Sequence, residues 1–171
     1  MSYDFNADEI FEIAEQIEKN GAKFYKLAAE IVDKPSVRKL LLELAAMEIE
    51  HEKTFISLRA KLSDQEKEKT VFDPEGESVL YLKALADSRI FFKKDIPDVL
   101  SNINQAEKDF AKKIIRYAIG AEKDSIVFYL GMKDLVSENM GKKKIDAIIR
   151  EEMSHIRLLG KELAALNKQA K

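Results

Sequence analysis

Along four long stretches of the chain, apolar residues recur at alternating steps of three and four, and each run is broken midway by an ionisable side chain. The first stripe is Phe11, Ala14, Glu18, Gly21, Tyr25, Ala28 and Val32, and the second is Leu41, Leu44, Glu48, His51, Phe55, Leu58 and Leu62. The third runs Ile115, Ala118, Glu122, Ser125, Tyr129, Met132 and Val136, and the fourth Ile145, Ile148, Glu152, His155, Leu159, Glu162 and Leu166. That spacing keeps residues on one side of a helix and suits helices packed in a left-handed bundle. Punctuation in the chain sets the expected boundaries. Asn6-Ala7-Asp8-Glu9 fits a capping box and opens a helix over about 6–33. Pro35 suits the first turn of a second helix, about 35–62, which ends in SDQEKEKTVFDPEGES with its Pro74 and Gly76. A shorter helix is expected over residues 78–92, Asn104-Gln105-Ala106-Glu107 fits a second capping box opening a helix of about 104–137, and the turn at NMGKKK leads into a last expected helix of about 140–168. The expectation is a single all-α domain over 1–171: a four-helix bundle of two helical hairpins joined by a long crossover with an extra helix.

The two hairpins repeat each other at an offset of 104 residues. Glu18 maps to Glu122, Phe24 to Phe128, Tyr25 to Tyr129, Glu48 to Glu152 and His51 to His155. At a rise of about 1.5 Å per residue, Glu18 lies about 25 Å before the turn near Pro35, and Glu48 and His51 lie about 20 and 24 Å after it. The three therefore meet at one level. The turn near Asn139 does the same for Glu122, Glu152 and His155.

Composition narrows the chemistry. A chain of 171 residues with 46% hydrophobic content, 6 Gly and 3 Pro favours helix and closes a sizeable core. No cysteine is present, which removes disulfides, thiolate metal sites and thiol catalysis. The 29 basic and 31 acidic residues are interspersed, so neither nucleic acid nor an anionic membrane is implied as a partner. The acidic start MSYDFNADEI lacks the features of a signal peptide, and no run approaches 18 apolar residues. A cytoplasmic protein is expected, and a long bundle with an additional apolar helix suits a homodimer.

Glu48 with His51, and Glu152 with His155, are three apart and share a helix face, so each pair can direct an oxygen and a nitrogen toward the bundle axis. Glu18 and Glu122 complete the set. Four uncompensated buried carboxylates would cost several kcal/mol each. Two divalent cations would neutralise them, with one imidazole per cation and carboxylates free to bridge. Two helices carrying one Glu and two carrying Glu-x-x-His are the ligand plan of carboxylate di-iron and di-manganese bundles. A lone Glu-x-x-H is a weak signal where roughly one residue in nine is Glu. Here both histidines of the chain have it, and each motif Glu has another Glu 30 positions earlier. As independent placements, that combination arises roughly once in several thousand. Tyr25 and Tyr129, two turns beyond the single glutamates, can bond a ligand carboxylate, carry an electron or simply pack the core. Glu151 competes with Glu152 for the ligand role, but its repeat equivalent is Met47, which cannot replace a carboxylate. Glu50 and Glu52 read as solvated, and Glu162 marks where the bundle opens to water.

The stretches EKNGAKFY, MEIEHEK, EKDSIVFY and EEMSHIR resemble the rubrerythrin-related branch of the ferritin-like superfamily, and the resemblance spans both hairpins. It implies two iron ions, with manganese or zinc as alternatives, bound by Glu18 and Glu122 as terminal ligands, Glu48 and Glu152 as bridging ligands, and His51 and His155 as the nitrogen ligands. It also implies reaction of the di-ferrous pair with hydrogen peroxide or oxygen, followed by re-reduction. Two departures stand out. Rubrerythrins carry a further Glu one turn after the third-helix ligand, where this chain has Ser125, and they carry a cysteine-rich rubredoxin domain. Its absence calls for an external electron donor such as a rubredoxin-like protein. The connection between hairpins is also longer than in rubrerythrin or bacterioferritin. The leading expectation is therefore a di-iron oxidoreductase acting on peroxide or oxygen. The alternatives are a ferroxidase or iron-storage protein of the bacterioferritin type, and a non-catalytic metal-binding bundle.

Overall fold

The computed structural model describes residues 6–68, 80, 82, 100 and 109–169. Helix α1 spans Ala7–Ile31, α2 Pro35–Arg59, the short α3 Asp64–Glu68, α4 Phe110–Leu135 and α5 Lys142–Gln169, with a 3₁₀ turn at Glu138–Met140. No strand occurs among the described residues.

Local chemistry explains most of these ends. The Asn6 side chain accepts from the Glu9 N–H at 2.9 Å while the Asn6 N–H donates to Glu9 Oε2 at 3.1 Å, a complete capping box. Pro35 occupies the first turn of α2, where its missing N–H costs no hydrogen bond. Helix α4 begins at Phe110 after a turn at Asp109, later than the expected start near 104. The box at 104–107 lies outside the described residues, as does the expected 78–92 helix apart from Leu80 and Leu82, both helical. Leu82 and Leu100 are buried with the core.

Helix α1 packs along α2 and α4 along α5, and the two hairpins meet through α2 with α5 and α1 with α4. Side-chain pairs across the hairpins fix the directions. Tyr25 bonds Glu122 while Tyr129 bonds Glu18, and His51 approaches Glu152 while His155 approaches Glu48. A rising number on one helix meets a falling number on the other, so α1 opposes α4 and α2 opposes α5. Helices α2 and α4 consequently run the same way, so the end of α2 and the start of α4 lie at opposite ends of the bundle, about 37 Å apart along a 25-residue helix.

The four stripes form the interior. Every stripe residue is buried except Glu162, which is half-buried. Glu162 does more than mark an opening to water: its carboxylate accepts from Ser36 Oγ at 2.6 Å, at the start of α2, where negative charge is favoured by the helix dipole. Aromatic pairs brace the core on both sides of the ionisable level, with ring centroids of Phe55–Tyr129 at 5.2 Å and Phe24–Tyr25 at 5.4 Å. At the far end of the first hairpin, Arg59 donates to Asp8 at 2.8 and 2.9 Å and approaches Glu12 and Glu15 at 3.3 Å, tying the end of α2 to the start of α1.

Gly141 closes the turn before α5 with φ of 96°, and a Cβ built there would press on the Leu58 side chain. The positive φ is what favours glycine, and a side chain there would also displace Leu58. Gly141→Ala is expected to lower unfolding free energy by at least about 1–2 kcal/mol in urea denaturation. Gly120→Ala, in the exposed interior of α4 with open space at its Cβ, is expected to raise it by about 0.5–1 kcal/mol. Equal effects of the two substitutions would refute this assignment.

Candidate metal centre

Each helix delivers its polar residues at mid-length, in the stretch held most firmly by packing on both sides. Glu18 comes from α1, Glu48 and His51 from α2, Glu122 from α4, and Glu152 and His155 from α5, and all six are buried. Gly21 leaves the Glu48 arm lying directly on α1, with a Cβ position 3.4 Å from Glu48 Cγ.

The six side chains form two interlocked groups. Glu18, Glu48, His51 and Glu152 offer ligand atoms within 4.8 Å of one another, and so do Glu48, Glu122, Glu152 and His155. Glu48 and Glu152 belong to both. His51 Nδ1 lies 3.0 Å from Glu152 Oε1, 3.5 Å from Glu18 Oε2 and 3.6 Å from Glu48 Oε2. His155 Nδ1 lies 2.9 Å from Glu152 Oε2, 3.3 Å from Glu48 Oε1 and 3.4 Å from Glu122 Oε1. The two imidazoles face each other with centroids 5.6 Å apart and planes within 17° of parallel.

Whether these residues suit a metal can be judged from their unmet hydrogen-bonding capacity. His51 Nδ1, His155 Nδ1 and both carboxylate oxygens of Glu152 are buried without a hydrogen-bond partner. Orphaned buried groups of this kind carry a penalty of about 1–3 kcal/mol or more each, which native cores rarely tolerate. Here the orphans converge on a shared space between nitrogen and carboxylate donors, the donor mixture that suits first-row divalent cations. The residues fit such cations.

Charge neutrality at this level can be reached in two ways. In the first, protons balance the carboxylates. Burial, then the neighbouring Glu48, raises the Glu18 carboxyl well above its usual range, and burial with Glu152 and Glu48 does the same to Glu122. Burial opposes charge on Glu152 and Glu48 as well, but the adjoining imidazoles of His155 and His51, preceded for Glu48 by the neighbouring Glu18, hold both below the usual value. Burial would lower the histidines, yet the surrounding carboxylates outweigh it, pushing His155 up to about 12 and His51 higher still. In the second way, two divalent cations replace the protons on Glu18, Glu122, His51 and His155.

The hydroxyls of Tyr25 and Tyr129 donate to Glu122 and Glu18 respectively, each reaching across from one hairpin to the other. Burial, then the adjacent carboxylate, raises both phenols well above their ordinary value, so they remain donors. Ser125, one turn after Glu122, turns its Oγ back to the Ala121 carbonyl at 3.2 Å and presents no carboxylate.

Two residues acquire roles that the stripes did not indicate. Glu151 Oε2 lies 2.7 Å from His51 Nε2, and Met47 Sδ lies 3.2 Å from His155 Nε2. Their positions carried the signal: they are equivalent at the 104-residue offset, each immediately before the Glu of a Glu-x-x-His.

A family model described as Rubrerythrin matches residues 9–112, more than half of the chain. The chain belongs to the rubrerythrin family. The match covers the first hairpin with Glu18, Glu48 and His51, and ends at the start of α4, ahead of Glu122, Glu152 and His155. No curated protein matches the sequence of this family member. In structure it is similar, at a TM-score of 0.66 and 21% identity over 100% of both chains, to a protein of Thermotoga maritima described as ferritin-like and diiron-carboxylate. That likeness establishes the fold of this rubrerythrin-family chain as a ferritin-like bundle. No helix among its described residues is long and apolar enough to cross a membrane.

The proton balance leads to a measurable coupling. Loading two divalent cations at neutral pH is expected to release close to four protons per chain, one each from Glu18, Glu122, His51 and His155, so affinity rises steeply with pH. Calorimetric titration in buffers of different ionisation enthalpy counts the protons. A release of one or none would contradict this charge assignment.

Proposed function

We propose that this protein is a binuclear oxidoreductase that reduces hydrogen peroxide or oxygen with two iron ions, using electrons from a separate donor. The observation that carries the reading is the sharing of Glu48 and Glu152 between both groups, which couples two cations closely enough to act together on one small substrate. In this reading Glu18 and His51 hold one ion, Glu122 and His155 hold the other, and Glu48 and Glu152 lie between them.

Reduction of one peroxide to two waters consumes two electrons and two protons, and a pair of ferrous ions supplies both electrons. The chain's own residues set the conditions. Tyr129 and Tyr25 orient the Glu18 and Glu122 carboxylates, so the terminal groups keep their places while charge at the centre changes. The apolar layers containing Phe55 and Phe24 exclude bulk water and strengthen each electrostatic contact. Between α2 and α5 the partly exposed Met47 and Glu151 touch the buried imidazoles, so a single side chain separates each ring from solvent. The chain contains no cysteine for a rubredoxin-type centre, so electrons are expected from another protein or reductant.

Ser125 favours a second reading. With no carboxylate one turn after Glu122, the two groups carry matching ligands, a symmetry that also suits a ferroxidase passing iron through the site. Anaerobic ferrous protein mixed with peroxide or with oxygen in a stopped-flow spectrometer separates these cases. The proposal expects one peroxide consumed per two ferrous ions, faster with peroxide than with oxygen, and repeated turnover once a reductant is supplied. Iron accumulating beyond two ions per chain would establish the ferroxidase reading instead, and unchanged spectra with both oxidants would leave only a non-catalytic bundle.

A further inference from the structure

The repeat makes the inner faces of the two imidazoles closely alike and their outer faces different. On the inner side the nearest carboxylate oxygens stand at 3.0, 3.5 and 3.6 Å from His51 Nδ1, and at 2.9, 3.3 and 3.4 Å from His155 Nδ1. Each terminal glutamate has its own tyrosine donor. On the outer side His51 Nε2 meets the Glu151 carboxylate at 2.7 Å, whereas His155 Nε2 meets the Met47 thioether at 3.2 Å.

An imidazole that binds a cation through Nδ1 carries its proton on Nε2. A carboxylate accepting that proton forms a short charge-assisted bond, fixes the ring and makes Nδ1 more basic, whereas a thioether is a weak acceptor. From this difference we infer that Glu151 and Met47 are positioning residues that make the two metal positions unequal, the one at His51 being filled first. The inference rests on the proposed binding of two cations. It assigns the inequality to the outer partners because the remaining donors are matched in kind, three carboxylates facing each Nδ1 and one tyrosine on each single glutamate, whereas the outer partners differ in kind. Removing such an outer partner typically costs 10–100-fold in metal affinity, so the two positions are expected to differ by about that factor. Glu151 is 60% exposed at its side chain, which screens its charge and places the expectation toward the lower end.

Zinc is a suitable probe, being redox-silent and tolerant of this donor set. The chain has only 2 histidines, so full-length protein labelled with ¹⁵N-histidine gives one set of ring signals for each position. Titrating metal-depleted protein with zinc is expected to move the His51 signals during the first equivalent and those of His155 during the second, with two calorimetric steps separated by about 10–100-fold. Glu151→Met, which copies the other side, should merge the steps at the weaker affinity. Met47→Glu should merge them at the stronger. The double substitution should restore two steps with His155 first. Both positions lie at the bundle surface, so these variants test affinity rather than folding. Simultaneous movement of both histidines in the unsubstituted protein, or His155 moving first, would overturn the inference. A failure of either histidine to respond to zinc would instead overturn the metal-binding reading beneath it.

Discussion

Everything about this bundle turns on charge at one level of its core. Four carboxylates and two imidazoles are packed among apolar side chains, where water cannot compensate them, and their ligand atoms crowd within 4.8 Å in two overlapping groups. Like charges at that separation in a low-dielectric interior repel strongly. The level can exist only if four positive charges or their equivalent are supplied locally, and its design follows from that requirement. Helices must be long enough for stable packing above and below it. Each carboxylate arm needs a partner that keeps it from seeking solvent.

The hairpin repeat meets the requirement economically. One hairpin contributes a single glutamate and a Glu-x-x-His pair, and its antiparallel copy supplies the same set from the opposite side. Tyr25 and Tyr129 then connect the hairpins, each bonding the terminal glutamate of the other half. The hydrogen bonds that orient the site are therefore also the ones that join the halves, and neither hairpin alone presents a complete group. Glu18 and His51 need Glu152, just as Glu122 and His155 need Glu48.

Much of this was legible in the sequence, for a physical reason. A helix in a bundle repeats its core-facing position at steps of three and four, so a Glu on such a stripe is buried wherever the stripe is, and distance from a turn gives its level. The stripes through Glu18, Glu48, Glu122 and Glu152 and the capping box at Asn6 could be read this way. Periodicity says where a Cβ points, however, not which atom of a ring faces outward. Glu151 and Met47 lie off the stripe, and their contacts with the outer nitrogens of His51 and His155 depend on ring orientation that only the assembled α2–α5 pair determines. Glu162 eluded the pattern similarly, since its partner Ser36 is 126 residues distant and belongs to the end of another helix. The start of α4 at Phe110 instead of near 104 reflects a turn at Asp109 that a local capping motif does not reveal.

The central claim is that two cations share Glu48 and Glu152 while Glu18 and Glu122 each serve one. Elemental analysis of protein purified from its native host, beside Glu18→Ala and Glu48→Ala variants shown to be folded by circular dichroism, tests it most directly. The account predicts two metal ions per chain in the unsubstituted protein, one retained after Glu18→Ala, and both lost after Glu48→Ala. Native protein free of metal, or equal losses from the two variants, would contradict it.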